Sequence, residues 1–250
     1  MKISTNEERT KEYLKKFNRE KVLRFLLKKD MPVIFDIGSN DGQSLKEFKS
    51  IWPKSYVHCF EPQLECIKSL ESIVESYDKN TVFINKYAAG NKNAENIPFF
   101  SHDLTSGQSG FNRINLNSKD SLNLKKISNK KEYVEYTSTL NKERLVKVKR
   151  LENYLNEKNI KHIDILKIDT QGYEIEVLEG LGIYLSNVSI VLTELMFYDF
   201  YEKKLSFYDI EKHLDPNGLK LYDISHISKN PLNGRTDWVD IIYVNQNHLN

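Results

Sequence analysis

Hydrophobic and polar residues follow two rhythms along this chain. Nearly continuous apolar runs at 33–37, 55–60, 81–87, 163–168 and 188–193 read as strands buried on both faces. Between them, apolar residues recur at helical spacing, as in Leu64, Ile67, Leu70, Ile73 and Val74, or Ile175, Val177, Leu178 and Leu181. Helices are expected at 42–50, 62–77 with Pro62 at its start, within 148–156, and at 207–214. Strands at 218–224 and 238–244 make a closing hairpin. Parallel strands joined through helices need crossover connections, so the simplest architecture is an α/β doubly wound, mostly parallel sheet with helices on both faces.

Two regions depart from this pattern. Residues 7–29 carry Tyr13, Phe17, Val22, Phe25 and Leu26 at mostly helical intervals among lysines and arginines. This predicts an N-terminal helical extension over 1–30, packed on the domain with a solvated basic face; membrane-surface contact or a homodimer contact is the alternative use. Residues 91–150 form an irregular insertion with short apolar pieces at 97–100 and 145–148, read as a small antiparallel excursion from a single domain over 31–250. Its stretch 105–111 is rich in hydroxyls and glycine. That stretch is either a loop closing over a ligand or a plain surface loop.

The first strand ends in Asp36, Gly38, Ser39, Asn40 and Gly42. Gly38 lets the backbone turn and approach a ligand, Gly42 allows close packing where a helix begins, and Asn40 tolerates unusual backbone angles. The free N–H groups of the following helix favour an anionic group in the loop. A dinucleotide site needs G-x-G-x-x-G, but Asn40 and Gln43 occupy two of the glycine positions. Read instead as D-x-G-x-N-x-G, the loop resembles the first motif of class I S-adenosylmethionine-dependent methyltransferases.

The second strand ends in Glu61-Pro62, with the acid about 20 positions beyond the glycine loop, where such folds bind both ribose hydroxyls through one carboxylate. Ala88 and Ala89 follow the third strand; they either leave room for adenine or form a turn. Acids at Asp36, Glu61, Asp169 and Glu194 should gather on the carboxyl edge of the sheet, where open α/β sheets bind ligands.

Composition narrows the partners. The chain has 250 residues, 37 Lys plus Arg against 35 Asp plus Glu, and a net charge of +2, so the overall field gives no argument for nucleic acid. Its length suits one large α/β domain. Cys59 and Cys66 are the two cysteines, and they lack zinc-type spacing, so reduced structural thiols are expected and no metal ligands are assigned. A polar N-terminus and the lack of a membrane-length apolar run predict a cytoplasmic protein without a transmembrane segment.

The block Lys167-Ile168-Asp169-Thr170-Gln171-Gly172-Tyr173-Glu174, followed by Val177-Leu178-Glu179-Gly180, resembles the K-x-D-x-[EQ]-G-x-E-x-x-V-L-x-G signature of FkbM-type methyltransferases. With the loop at 36–42, Phe60-Glu61-Pro62, Ala88-Ala89-Gly90 and Thr193-Glu194, the resemblance covers about 31–244. It departs from the family at Gln171, where Glu is common, and in the extension and insertion. The resemblance implies a seven-stranded Rossmann-like class I methyltransferase fold, S-adenosyl-L-methionine as methyl donor, and a hydroxyl on a sugar, glycan or other natural product as acceptor. The anion at the helix start is then the methionine carboxylate.

In this reading Asp36, Gly38, Ser39, Asn40, Gly42, Glu61, Pro62, Ala88, Ala89 and Asp169 bind the cofactor. Asp169 is either the base that takes the acceptor proton or a cofactor-orienting carboxylate. Glu194 positions an acceptor hydroxyl or joins Asp169 on a divalent metal, the metal being the less favoured reading. Of the six histidines, His226 is placed near the acceptor side. Tyr198, Phe200 and Tyr201 are either an aromatic wall or a packing cluster. A nucleic-acid methyltransferase is the first alternative, but Asp169-Thr170-Gln171-Gly172 is not the Asn/Asp-Pro-Pro-aromatic turn that grips a flipped base. A non-catalytic cofactor-binding scaffold is the second.

Overall fold

The run Val33–Ile37 (β1) is hydrophobic on both sides because it lies in the middle of a sheet with helices above and below. A computed structural model describes residues 5–118, 129–231 and 233–248. Strand β1 pairs in parallel with Tyr56–Phe60 (β2) on one side and Ile163–Ile168 (β7) on the other. Beyond β2 lies Val82–Asn85 (β3), and beyond β7 lies Val188–Met196 (β8), both parallel. Thr236–Asn245 (β10) is antiparallel to β8 and to Leu219–Lys229 (β9), which gives the seven-stranded order β3-β2-β1-β7-β8-β10-β9.

Successive side chains on β1 point to opposite faces, so Ile34 and Phe35 enter different cores. Ile34, Ile165, Ile190 and Ile242 meet Arg19–Leu26 (α2) and Gln43–Ile51 (α3) through Val22, Leu23, Leu45 and Phe48. Leu70 of Leu64–Val74 (α4) joins them. On the other face Phe35, Leu166 and Val191 pack on Leu151–Glu157 (α6), Glu174–Gly180 (α7) and Phe207–Leu214 (α8).

Five expectations change in detail. The N-terminal helix is two helices, Asn6–Lys16 (α1) and α2: Phe17 is extended, and the Asn18 side chain caps α2 by accepting from Lys21 N. Helix α4 starts at Leu64 with Gln63 as its N-cap, so Pro62 precedes it. Ala88–Gly90 is a short strand (β4) and no turn. It runs parallel to Lys142–Arg150 (β6), which also pairs antiparallel with Ala94–Ser101 (β5), so the excursion is a mixed three-stranded sheet. Strand β8 continues past Thr193 to Met196 because β10 pairs with it through Trp238 opposite Met196. The insertion also holds Lys130–Thr137 (α5); its residues 119–128, like residues 1–4 of the extension, lie outside the described residues.

No helix among the described residues is long and apolar enough to cross a membrane.

Candidate active site

The loop after β1 has the backbone its residues anticipate. Gly38 has φ +78°, and a Cβ there would sit 2.0 Å from the backbone oxygen of Asp169, so only glycine lets the two strand ends approach. Asn40 is left-handed at φ 46°, and Gly42, at φ +90°, caps α3 against Ile73 and Leu70 of α4. Ser39 is buried: its hydroxyl donates to Asp36 O at 2.7 Å and accepts from Phe60 N at 3.1 Å.

Beside this loop lies a cavity of about 530 Å³, walled by Gly38, Asn40, Glu61, Pro62, Ala88 and Ala89, with Asp169 and Gln171 at one side. Six of the residues assigned to the cofactor, together with Asp169, therefore meet at one place. Asp36, Ser39 and Gly42 do not line it; they lie beneath or behind the loop and shape it. Glu61 is only 3% exposed. One of its oxygens accepts from Asn40 N at 2.9 Å and the other from Gln63 N at 2.8 Å. Burial pushes its carboxyl up to about 7, against the opposing pull of these backbone donors.

The hydroxyl-rich stretch forms the roof. Ser106, Gly107, Ser109 and Phe111 line the cavity. The Ser106 hydroxyl donates to Asn40 Oδ1 at 2.6 Å, and Gln63 Nε2 donates to Ser106 O at 3.4 Å. Phe111 packs at a tilt of 32° on Tyr173, ring centres 4.1 Å apart, which anchors the far end of the stretch.

Lys167 organises the charges below. Its ammonium lies 3.2 Å from Asp36 Oδ1 and 3.5 Å from Asp169 Oδ2, and donates to Gly38 O at 3.0 Å. The Asp36 contact is an ion pair only, since neither oxygen has a hydrogen-bond partner among the described residues. Burial disfavours charge on Lys167, but Asp36 and Asp169 more than offset it and raise its pKa. Gln171, left-handed at φ 57°, donates from Nε2 to Asp169 Oδ1 at 2.7 Å and accepts from the Tyr201 hydroxyl at 2.7 Å. Glu174 accepts from Thr170 N, Thr170 Oγ1 and Gly172 N at 3.1–3.2 Å, locking the turn that carries Asp169.

Asp169 also borders two further cavities. One, about 410 Å³, includes Glu194, Tyr198, Tyr201 and Lys204. The other is a polar cleft of about 1040 Å³ between α2, α3 and the strands, lined by Arg19, Ser44, Glu47, Lys167, Glu194 and Asp240 among others. Glu194 lies within β8 opposite Asp240; burial first, then Asp169 and Asp240, holds its carboxyl well above the usual carboxylate range. Of the aromatic group, Tyr198 and Tyr201 reach a cavity wall, whereas Phe200 is buried with Ile114, Tyr136 and Leu140.

His226 is the assigned residue the structure sets apart. It is exposed on the edge strand β9, opposite Asp240 in register, and lines none of these three cavities. Among the described residues no group of three or more His, Cys, Asp or Glu is disposed to hold a metal ion. Lys167, Gln171, Glu174, Gln63, Arg19 and Asp240 are absent from the site assigned on sequence. The signature block could have flagged the first three, since it contains them.

A seven-stranded, mostly parallel sheet in this order, with helices on both faces and a cavity at the ends of β1, β2 and β7, defines a class I methyltransferase fold. Residues 36–221 match the Methyltransferase FkbM domain, and the chain belongs to that family.

The chain is 26% identical over 180 residues to 2-O-methyltransferase NoeI of Sinorhizobium fredii (strain NBRC 101917 / NGR234), covering 72% of this chain and 70% of that one. It is 26% identical over 153 residues to Methyltransferase 1 of Beauveria bassiana (strain ARSEF 2860), covering 61% of this chain but 59% of that relative. The crystal structure of Methyltransferase FkbM from Methylobacillus flagellatus KT superposes with a TM-score of 0.52 at 12% identity, over 86% of this chain and 44% of that longer one. That likeness speaks for the fold alone.

Proposed function

We propose that the chain is an S-adenosylmethionine-dependent O-methyltransferase acting on a hydroxyl of a sugar, glycan or other natural product. Family membership supports methyl transfer, and the similarity to a relative named as a 2-O-methyltransferase lends weaker support to a hydroxyl acceptor. The observation that carries the reading is the position of Asp169, which borders the loop-side cavity and both cavities beyond it.

The residues present suit the cofactor. Each Glu61 oxygen keeps accepting capacity after its one backbone N–H, which matches a pair of ribose hydroxyls. Ala88 and Ala89 leave room for a flat base, and Gly38 and Asn40 permit close backbone approach. When bound, S-adenosylmethionine supplies a methyl group already activated on a sulfonium, leaving a neutral thioether and requiring one proton to depart from the acceptor hydroxyl. Asp169 takes that proton as the new C–O bond forms. Lys167 and Gln171 fix its two oxygens, so it meets the acceptor in one orientation. Glu194 bears on acceptor positioning; His226, exposed outside all three cavities, is assigned no role in this reading.

The test is turnover with neutral and anionic glycan acceptors, read by mass detection of a methyl increment. Asp169→Asn is expected to lower turnover roughly 10²- to 10⁴-fold while S-adenosylhomocysteine affinity stays within a few-fold. Equal loss of both would move Asp169 from base to cofactor-binding residue.

A further inference from the structure

The two oxygens of Asp169 face different neighbours. Oδ1 accepts from Gln171, which lines the loop-side and aromatic cavities. Oδ2 lies 3.5 Å from the ammonium of Lys167, which lines the polar cleft and neither of the others. Each oxygen keeps accepting capacity beyond that one contact, and Oδ2 has it beside a lysine of the cleft.

The cleft has the chemistry of a hydroxyl-binding site. Ser44 and Glu47 of α3, Glu194 of β8 and Asp240 of β10 offer donors and acceptors from separate walls, and half-buried Trp238 contributes an aromatic surface. Arg19 spans the opening, 3.4 Å from Glu47 and 3.5 Å from Asp240. Lys167 lies against Asp36 and Asp169, Arg19 lies against Glu47 and Asp240, and with Glu194 the carboxylates of the cleft outnumber its cations, which disfavours an anionic acceptor. The first turn of α3 enters the same cleft through Gln43 and Ser44, so the anion expected at that helix start belongs at its near end. Glu194, Trp238, Asp240 and Arg19 enclose the rest.

We propose that this cleft, and not the smaller cavity beside Tyr198, seats the methyl acceptor, and that the acceptor is an uncharged polyhydroxyl compound, a neutral glycan. Trp238 is its platform, and Asp240 and Arg19 read its hydroxyls. Helix α2 is then part of the acceptor site. The proposal rests on the methyl-transfer reading of Asp169.

The experiment is a glycan array of neutral and anionic sugars probed with the full chain in the presence of S-adenosylhomocysteine, whose own affinity is measured in parallel. Binding is expected on neutral glycans. Trp238→Ala and the conservative Asp240→Asn should each weaken it at least about tenfold, with S-adenosylhomocysteine affinity retained in both and melting temperature retained in Asp240→Asn. Lys204→Ala, in the smaller cavity, should leave it unchanged. Preference for anionic glycans overturns the proposal, as does glycan binding sensitive to Lys204→Ala and insensitive to both cleft variants. Loss of S-adenosylhomocysteine affinity in both cleft variants would mark the cleft as a cofactor site and also overturn it. No glycan binding by a chain that does bind S-adenosylhomocysteine overturns the acceptor assignment alone, whereas failure to bind S-adenosylhomocysteine sinks the underlying methyltransferase reading.

Discussion

Gln171 shows how one side chain joins parts of the site that lie far apart in the chain. Its amide donates to Asp169 and accepts from the Tyr201 hydroxyl, whose oxygen also lies 3.0 Å from Gln108 O in the roof. Gln171→Met keeps the length and removes the donor; turnover should fall roughly tenfold, with S-adenosylhomocysteine affinity within a few-fold in a calorimetric titration. Unchanged turnover would show that Asp169 needs no such clamp. Glu194 makes a prediction about pH. Burial and the neighbouring Asp169 and Asp240 raise its folded pKa, so between the ordinary value of 4.5 and the raised one the folded chain holds a proton that the unfolded chain has released. Its stabilising contribution is complete below that ordinary value and declines as pH rises. Glu194→Gln has no such proton, so relative to the native chain it should gain on the order of 1 kcal/mol of stability between about pH 5 and pH 8, read by denaturant unfolding. A constant difference across that range would contradict the assignment.

Elements that carry their own pattern were legible; pairings between them were less so. The glycine loop could be read because Gly38, Asn40 and Gly42 are the residue types that positive φ selects, and all three adopt it. Gly38→Ala combines that backbone strain with a Cβ 2.0 Å from Asp169 O, and should cost at least about 2 kcal/mol in unfolding free energy and abolish cofactor affinity. Native stability in this variant would mean that the strand ends can part. By contrast, β8 reaches Met196 because β10 lies against it, and nothing in residues 188–196 announces that partner. The break between α1 and α2 had a visible signal in Asn18, a strong N-cap residue masked by the apolar periodicity on either side of it. The small residues of β4 could not be told from a turn, since their strand character comes from β6, which lies in the insertion.

At the scale of the molecule, buried strands alternating with amphipathic helices were enough to expect a doubly wound sheet, because crossover geometry leaves few alternatives. The four acids expected on one edge do gather there, but in three roles: Glu61 and Asp169 border the loop-side cavity, Asp36 is enclosed as the partner of Lys167, and Glu194, within β8, borders the other two cavities. The polar cleft left no trace in any local stretch. It is assembled from α2, α3, β7, β8 and β10, and Arg19 meets Asp240 across 221 positions of sequence. In the proposed function these parts act together, as a pocket for S-adenosylmethionine beside a carboxylate that would take the acceptor proton. Calorimetric titration of the full chain with S-adenosylhomocysteine, at a pH above the value of about 7 to which Glu61 is raised, tests this most directly. Saturable one-to-one binding that Glu61→Ala weakens by roughly a hundredfold is expected from the loss of charge-assisted hydrogen bonds to two hydroxyls; absence of binding by the native chain, or binding indifferent to Glu61→Ala, would contradict the account.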